Sequence, residues 1–191
     1  MAKSKHTIRI ISGTHRSRRI PVLEKEGLRP TGDRLRETLF NWLQMKLPGR
    51  TVWDVCAGTG ALGFEAASRG AKQVKLIEMD TQVSKQLKNI TQEFAFENVQ
   101  VFNQSAQSFL QNTTETTDII FLDPPFANDL IDELTNLSLS KIGSGGLLYR
   151  EFGINQEVMN LPENWELLRT KSAGQVKIEL WQKQNTGKTN A

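Results

Sequence analysis

The tetrapeptide Asp123-Pro124-Pro125-Phe126 combines residue types that can hold a planar amine. It follows the apolar run Ile119-Ile120-Phe121-Leu122, which predicts a buried strand that ends in a turn. Neither proline can extend that strand, because each fixes its own φ and lacks a backbone donor. Asp123 is therefore expected at the carboxyl end of the strand, where open parallel sheets bind ligands. The alternative is an ordinary turn with a helix-capping Asp and a core Phe.

A second candidate site is the glycine-rich loop Gly58-Thr59-Gly60-Ala61-Leu62-Gly63, a G-x-G-x-x-G pattern. It lies between a predicted strand, 51–55, and a predicted helix, 62–68. Glu78 follows Gly58 by 20 residues and ends the next predicted strand. This combination predicts a nucleoside cofactor whose ribose hydroxyls are held by Glu78. The pattern by itself is compatible with both NAD and S-adenosylmethionine.

Three residues favour S-adenosylmethionine over a dinucleotide. Asp54 lies in a predicted buried strand, where an ionised carboxylate needs a partner. The amino group of a methionine moiety would supply that partner, whereas a pyrophosphate would be repelled. Met79 offers a soft contact for an adenine face. Asp123 ends the fourth predicted strand and would face the same crevice.

The first 36 residues are strongly basic, with a charge balance of +7, whereas the other 155 residues sum to −4. Segments 7–12 and 16–21 predict a β-hairpin whose turn is Gly13-Thr14-His15. Cations this crowded predict binding to nucleic-acid phosphates, and a solubilising arm is the alternative. Two more arginines fall in the first turn of a predicted helix, 34–47, where the helix dipole disfavours cations. The predicted RNA-binding residues are Arg9, His15, Arg16, Arg18, Arg19, Arg29, Arg34 and Arg36.

The elements that must position these residues alternate between strand and helix. Predicted strands cover 51–55, 74–78, 99–102, 118–122 and 146–152. The helices between them are predicted at 62–68, from the capping residue Thr81 to 94, and at 106–111. Such alternation predicts an α/β sheet that is parallel over its first five strands. Segments 165–169 and 175–181 predict a final antiparallel pair.

Composition narrows the class of protein. The 191 residues contain no apolar run near the roughly 20 needed to cross a bilayer, and no signal peptide is recognised. Cys56 is the only cysteine, which excludes an internal disulfide and a cysteine-cluster metal site. The two histidines, His6 and His15, are too few and too separated for a metal site. We expect a cytoplasmic, monomeric protein without a metal.

Four segments together resemble the bacterial family of 16S ribosomal RNA guanine-N2 methyltransferases, which act on the small subunit: 27–43, 54–63, 76–80 and 123–126. Arg29 to Phe40 is the segment most particular to that family. The resemblance implies a Rossmann-like class I methyltransferase fold, with a seven-stranded sheet whose last strand pair includes the lone antiparallel member. It divides the chain into a basic hairpin (1–26), a methyltransferase domain (27–183) and a polar tail (184–191).

The resemblance also assigns roles to residues. It places catalysis at Asp123, Pro124 and Phe126, and it implies cofactor contacts at Asp54, Cys56, Ala57, Gly58, Gly60, Glu78, Met79, Ser105, Ala106 and Asp123. Ser105 departs from the Asp or Asn common there, and Ser17 replaces an expected hairpin glycine. The implied substrate is 16S ribosomal RNA, in the small subunit or its assembly intermediate.

Two other functions remain open from the sequence. An adenine-N6 methyltransferase could use the same Asp-Pro-Pro-aromatic motif, although a chain of 191 residues leaves no room for a separate DNA-reading domain. A non-catalytic RNA-binding protein could retain a relict cofactor pocket.

Overall fold

A seven-stranded sheet and a separate two-stranded hairpin organise the part of the chain that the computed structural model describes, residues 7–22, 32–125 and 130–185. The strands are β1 (Thr7–Arg9), β2 (Arg19–Pro21), β3 (Thr51–Asp54), β4 (Gln73–Glu78), β5 (Val99–Asn103), β6 (Thr117–Leu122), β7 (Ile142–Gly153), β8 (Trp165–Ala173) and β9 (Val176–Lys183). The helices are α1 (Asp33–Trp42), α2 (Ala61–Ser68), α3 (Thr81–Glu93), α4 (Ala106–Asn112) and α5 (Leu130–Leu139).

The large sheet has the strand order β5-β4-β3-β6-β7-β9-β8. Strands β3 to β7 pair in parallel, and β9 runs antiparallel to both of its neighbours. The predicted class I architecture is therefore confirmed, including its one antiparallel strand. Because the order reverses between β3 and β6, the carboxyl ends of these two strands border the crevice where such sheets bind ligands.

Apolar side chains cover both faces of the sheet, as parallel strands require. One layer lies under α1, α2, α3 and the hairpin, and its aromatic members include Phe40, Phe64 and Phe121. The other layer lies under α4 and α5 and contains Trp53 and Phe109. In the described part of the chain, no helix has the length and apolar character needed to cross a membrane.

The N-terminal hairpin packs into the first of these layers. Ile8, Ile10 and Ile20 are buried in the same cluster as the helices beneath them. The backbone N–H groups of Ile11 and Ser12 donate to the carboxylate of Glu65 in α2, over 2.7 and 3.1 Å. The hairpin thus shares a core with the main domain. The predicted boundary between residues 26 and 27 lies outside the described residues.

Two backbone positions explain how closely the hairpin approaches α2. Gly13 touches the end of that helix so tightly that a Cβ atom there would lie 1.8 Å from the carbonyl oxygen of Ser68. Ser17 has a φ of 70°, in the left-handed region that disfavours side chains with a Cβ. The glycine expected at position 17 from the family resemblance therefore has a conformational reason.

Candidate active site

Four carboxylates end four neighbouring strands on one face of the sheet. Glu78 ends β4, Asp54 ends β3, Asp123 follows β6, and Glu151 lies near the end of β7. The sheet order β4-β3-β6-β7 places them in that sequence. In the register of the sheet, Asp54 is level with Leu76, Phe121 and Tyr149. Glu78, Asp123 and Glu151 each lie two residues beyond these positions on their own strands. Because side chains alternate between faces, all four share one face; we call them the acidic row.

Asp54 is the most deeply buried member of the row, with 1% of its surface exposed. Its Oδ2 accepts from the backbone N–H of Gly63 over 3.0 Å, and its buried Oδ1 has no hydrogen-bond partner among the described residues. Burial, reinforced by the charge of Asp123, raises the pKa of Asp54 to about 7. A positively charged group placed beside Oδ1 would relieve both the desolvation and the repulsion.

The glycine-rich loop lies against the same row, as the sequence predicts. Gly63 packs so closely on β4 that a Cβ atom would lie 2.1 Å from Leu76 Cδ2. Glu78 Oε2 accepts from the Gly58 N–H over 2.9 Å, which joins the predicted ribose-binding acid to the loop. The other oxygen, Oε1, accepts from the Asp80 N–H over 2.7 Å. Gly63, the third glycine of the pattern, therefore allows the loop to pack closely on β4, and Gly58, the first, donates its N–H to Glu78.

Cys56 and Ala57 continue this loop from β3. Ala57 is buried, and its N–H donates to the carbonyl of Ile77 over 3.0 Å. Burial, together with the charges of Asp54 and Asp123, raises the pKa of the Cys56 thiol well above its usual value. Cys56 therefore stays a neutral thiol and is unsuited to nucleophilic chemistry.

The adenine side of the predicted cofactor site is open. Met79 is 73% exposed, immediately after Glu78. The Asn103 side chain donates to the carbonyls of Glu78 and Met79 over 3.0 Å each and so fixes this turn. Ser105 caps α4 by accepting from the Ser108 N–H over 3.2 Å, and Ala106 beside it is buried. Asn103 is absent from the sequence prediction, although a polar residue at a strand end is the same signal that marks Glu78.

Helix α3, which follows this turn, begins differently from the prediction. Asp80 is its capping residue, and Oδ1 accepts from the N–H groups of Gln82 and Val83. The predicted cap, Thr81, is the first residue of the helix instead.

Asp123 lies half-buried at the end of β6, with Pro124 buried behind it; Phe126 lies outside the described residues. The structure adds two residues that sequence reasoning missed, Tyr149 and Glu151. Tyr149 Oη donates to Glu151 Oε2 over 2.7 Å in a buried contact. Burial and the charge of Asp123 raise the pKa of Glu151 to about 8. Glu151 could have been predicted from the sequence, because it is an acid within the apolar run 146–152, just as Asp54 is an acid within a predicted buried strand.

Known proteins resemble this chain in sequence and in fold. The family model described as "Conserved hypothetical protein 95" matches residues 8–182. Ribosomal RNA small subunit methyltransferase D of Escherichia coli K12 is 42% identical over 197 aligned positions, covering 100% of both chains. The chain belongs to this methyltransferase family. The Haemophilus influenzae protein of the same name is also 42% identical, over 94% of this chain and 95% of its own.

A solved structure agrees with the membership. Escherichia coli YhhF, described as a candidate methyltransferase, superposes with a TM-score of 0.87 at 40% identity, covering 94% of this chain and 99% of its own. The fold is therefore that of this methyltransferase family.

The predicted RNA-binding residues of this methyltransferase lie in different environments. Five arginines are exposed: Arg9, Arg16, Arg18, Arg19 and Arg34. The guanidinium of Arg18 also lies over the ring of Phe94, 5.0 Å from its centroid. His15 is instead stacked on Phe96 with ring centroids 3.9 Å apart, and its Nε2 contacts the Phe94 carbonyl over 2.9 Å. Arg29 lies outside the described residues.

Arg36 differs most from its prediction. It is 1% exposed, and its guanidinium donates to the carbonyl of Arg9 over 2.8 Å. A side chain buried between α1 and the hairpin is placed to hold the hairpin in position rather than to reach a phosphate. Its place in the first turn of α1, unfavourable for the helix dipole, is explained by this contact.

Proposed function

We propose that this protein transfers a methyl group from S-adenosylmethionine to the exocyclic N2 amine of a guanine in 16S ribosomal RNA. The observation that carries the proposal is the acidic row beside the glycine-rich loop, because its most buried member, Asp54, has an oxygen without a hydrogen-bond partner among the described residues, where a cationic methyl donor would lie. The relatives named ribosomal RNA small subunit methyltransferase D, 42% identical over the full chain, support the substrate class.

The side chains of Asp54, Glu78 and Met79 fit S-adenosylmethionine better than a dinucleotide. The orphaned Asp54 Oδ1 suits the amino group of the methionine moiety, because a cation there lowers the cost of a buried carboxylate. Glu78 already accepts two backbone N–H groups and keeps lone pairs for ribose hydroxyls. Met79 offers its exposed thioether to the adenine face. When bound, S-adenosylmethionine supplies an electrophilic methyl group and leaves as a neutral thioether.

The protein's part in the reaction is to activate and aim the amine. The lone pair of an exocyclic guanine amine is delocalised into the ring, which makes it a poor nucleophile. Asp123 and the Pro124 carbonyl accept its two hydrogens, and this contact makes the nitrogen more tetrahedral and directs its lone pair at the methyl group. Alignment of this kind accounts for most of the rate. Phe126 is proposed to stack on the extruded base.

The exposed arginines bind the phosphates of the RNA. The hairpin presents Arg9, Arg16, Arg18 and Arg19, and Arg34 lies at the start of α1. Phosphate contacts release counterions, so the affinity for RNA falls steeply as salt rises. The proposed partner is the small ribosomal subunit or an assembly intermediate that exposes the target guanine, and the proposed location is the cytoplasm, where that partner is made.

A methyl-transfer assay tests this function directly. Small-subunit RNA and particles from a strain that lacks the protein are incubated with radiolabelled S-adenosylmethionine, with duplex DNA in parallel, and the modified nucleotide is identified by mass mapping. We expect N2-methylguanine in the RNA and no transfer to DNA. N6-methyladenine would favour the rival methyltransferase, and cofactor binding without transfer would favour a non-catalytic RNA-binding protein.

The variant Asp123→Ala tests the assigned catalytic residue. Turnover should fall by at least about 100-fold, because the amine is no longer aimed, while S-adenosylmethionine still binds. Glu97→Ala removes an exposed acid just before the amino-terminal end of β5, whereas the row lies at the carboxyl ends of the strands, and it serves as the matched control. Near-normal turnover by Asp123→Ala would discredit the assignment.

A further inference from the structure

The acidic row extends one strand beyond the residues that the proposed function uses. Strands β6 and β7 pair with Phe121 opposite Tyr149 and Leu122 opposite Arg150, so the next positions along are Asp123 and Glu151. Neighbouring strands lie about 4.8 Å apart, which is close enough for two carboxyl groups to contact one small planar ligand. Glu151 is 4% exposed, and Asp123 acts on it electrostatically.

The order of the row separates the cofactor from the base. Glu78 and Asp54 lie on the β3–β4 side of Asp123, and Glu151 lies on the β7 side. An amine held at Asp123 must direct its lone pair toward the methyl donor on the first side. The ring that carries the amine is then left on the second side, beside Glu151.

We propose that Glu151 is a base-recognition residue that accepts the N1 hydrogen of the target guanine while Asp123 accepts from its N2 amine. The inference rests on the proposed function and names the group that selects its substrate. In guanine, the N1–H and the N2 amine are adjacent donors, and two side-by-side carboxyl groups match them. The N1–H of guanine favours the ionised form of Glu151, because it donates to the charged carboxylate. Adenine carries a lone pair at N1, which would face an oxygen of that ionised group and leave a buried acceptor unpaired. The pair therefore favours guanine, a distinction that the Asp-Pro-Pro-aromatic motif alone does not make.

Tyr149 fixes the orientation of this carboxyl group. Its hydroxyl donates to Oε2, which leaves Oε1 for the base. The Tyr149 ring is buried and packs edge-on against Phe121, with centroids 5.9 Å apart, so the hydroxyl has little freedom to move. A carboxyl group keeps an acceptor oxygen whether or not it carries a proton. A glutamine at this position therefore retains the proposed hydrogen bond, whereas a leucine of similar size does not.

The experiment compares two bases in the same RNA. The target guanine, located by mass mapping, is replaced by 2-aminopurine, which keeps the C2 amine but has no hydrogen on N1. We measure kcat/KM on both RNAs for the wild type, Glu151→Leu, Glu151→Gln and the exposed control Glu166→Gln. The wild type and the control should prefer guanine by about 10- to 100-fold, the discrimination of one well-placed hydrogen-bonded contact.

The variants should then separate in a defined pattern. Glu151→Leu should lose most of the preference by slowing the guanine reaction, and Glu151→Gln should keep most of it, with S-adenosylmethionine affinity unchanged in both. Tyr149→Phe conserves volume and should lower the preference partially, which provides a second route if the leucine variant does not fold. An equal loss on both RNAs in the folded variants, or a wild type without preference, would overturn the inference. Absence of transfer to guanine by the wild type would instead refute the proposed function itself.

Discussion

Replacing Asp54 with Asn removes a buried charge and keeps an acceptor for the Gly63 N–H. Asp54 has a pKa of about 7 in the folded protein, against 3.8 for an ordinary aspartate. Each unit of pKa difference corresponds to about 1.4 kcal/mol, so ionised Asp54 costs the folded state about 4 kcal/mol. At pH 8 the variant should be more stable than the wild type by up to that amount.

The direction of the Asp54 pKa shift determines which protein is more stable and over which pH range the stability difference changes. Because the folded pKa lies above the unfolded one, the unfolded chain loses its proton first as the pH rises. The cost to the wild type is therefore absent at pH values below 3.8, grows toward pH 7, and is constant above about pH 8. Urea denaturation of both proteins between pH 5 and 9, with Glu97→Gln as a charge-matched control, measures the difference. A difference that does not change with pH would refute this reasoning.

Cofactor binding provides the complementary measurement. At pH 6 most Asp54 side chains carry a proton, and a cationic amino group placed beside Oδ1 should expel it. Titration calorimetry in buffers of different ionisation enthalpy should therefore show release of up to one proton per S-adenosylmethionine, with less release at pH 9. Asp54→Asn should bind weakly and without this release. Equal proton release by the variant would assign the linkage to another group.

Three further substitutions test other parts of the structure. Gly13→Ala forces a Cβ against the Ser68 carbonyl, so it should cost about 1–3 kcal/mol in urea denaturation and weaken RNA binding; an unchanged hydrogen-exchange pattern in the hairpin would contradict this. Arg16→Ala should reduce the slope of log affinity against log salt by about 0.7–0.9 in filter binding, and an unaltered slope would support a solubilising arm. Glu179→Leu leaves the buried Arg150 without the carboxylate that lies 2.6 Å away. Such a loss costs about 3–5 kcal/mol, and a decrease in unfolding free energy below about 1 kcal/mol would argue against it.

The sheet could be predicted from the sequence because buried parallel strands appear there as apolar runs separated by turns. Asp54, Glu78 and Asp123 were predictable for the same reason, since each is an acid at the end of such a run. Strand boundaries were less accurate where that pattern fades. Strand β7 begins at Ile142 rather than Gly146, because the intervening glycines and serine carry no alternation of apolar side chains.

The residues that sequence reasoning missed depend on contacts between distant segments. Glu151 becomes a neighbour of Asp123 only through the register of β6 against β7, and periodicity contains no information about register between strands. Glu65 and Arg36 have the spacing of ordinary surface helix residues. Both are buried because the hairpin covers them, and that packing is a tertiary event.

The shared core of hairpin and domain has a consequence for how RNA is chosen. Arginines on a tether could reach phosphates at many separations, but Ile8, Ile10 and Ile20 anchor this hairpin, and its arginines stand at set positions relative to Asp123. The fold therefore sets the separation between the hairpin and Asp123. Under the proposed function, an RNA that already holds its phosphates and its target nucleotide at the matching spacing would bind without distortion of either molecule. We therefore expect the anchored hairpin to select for the folded shape of the RNA as well as for the identity of the base.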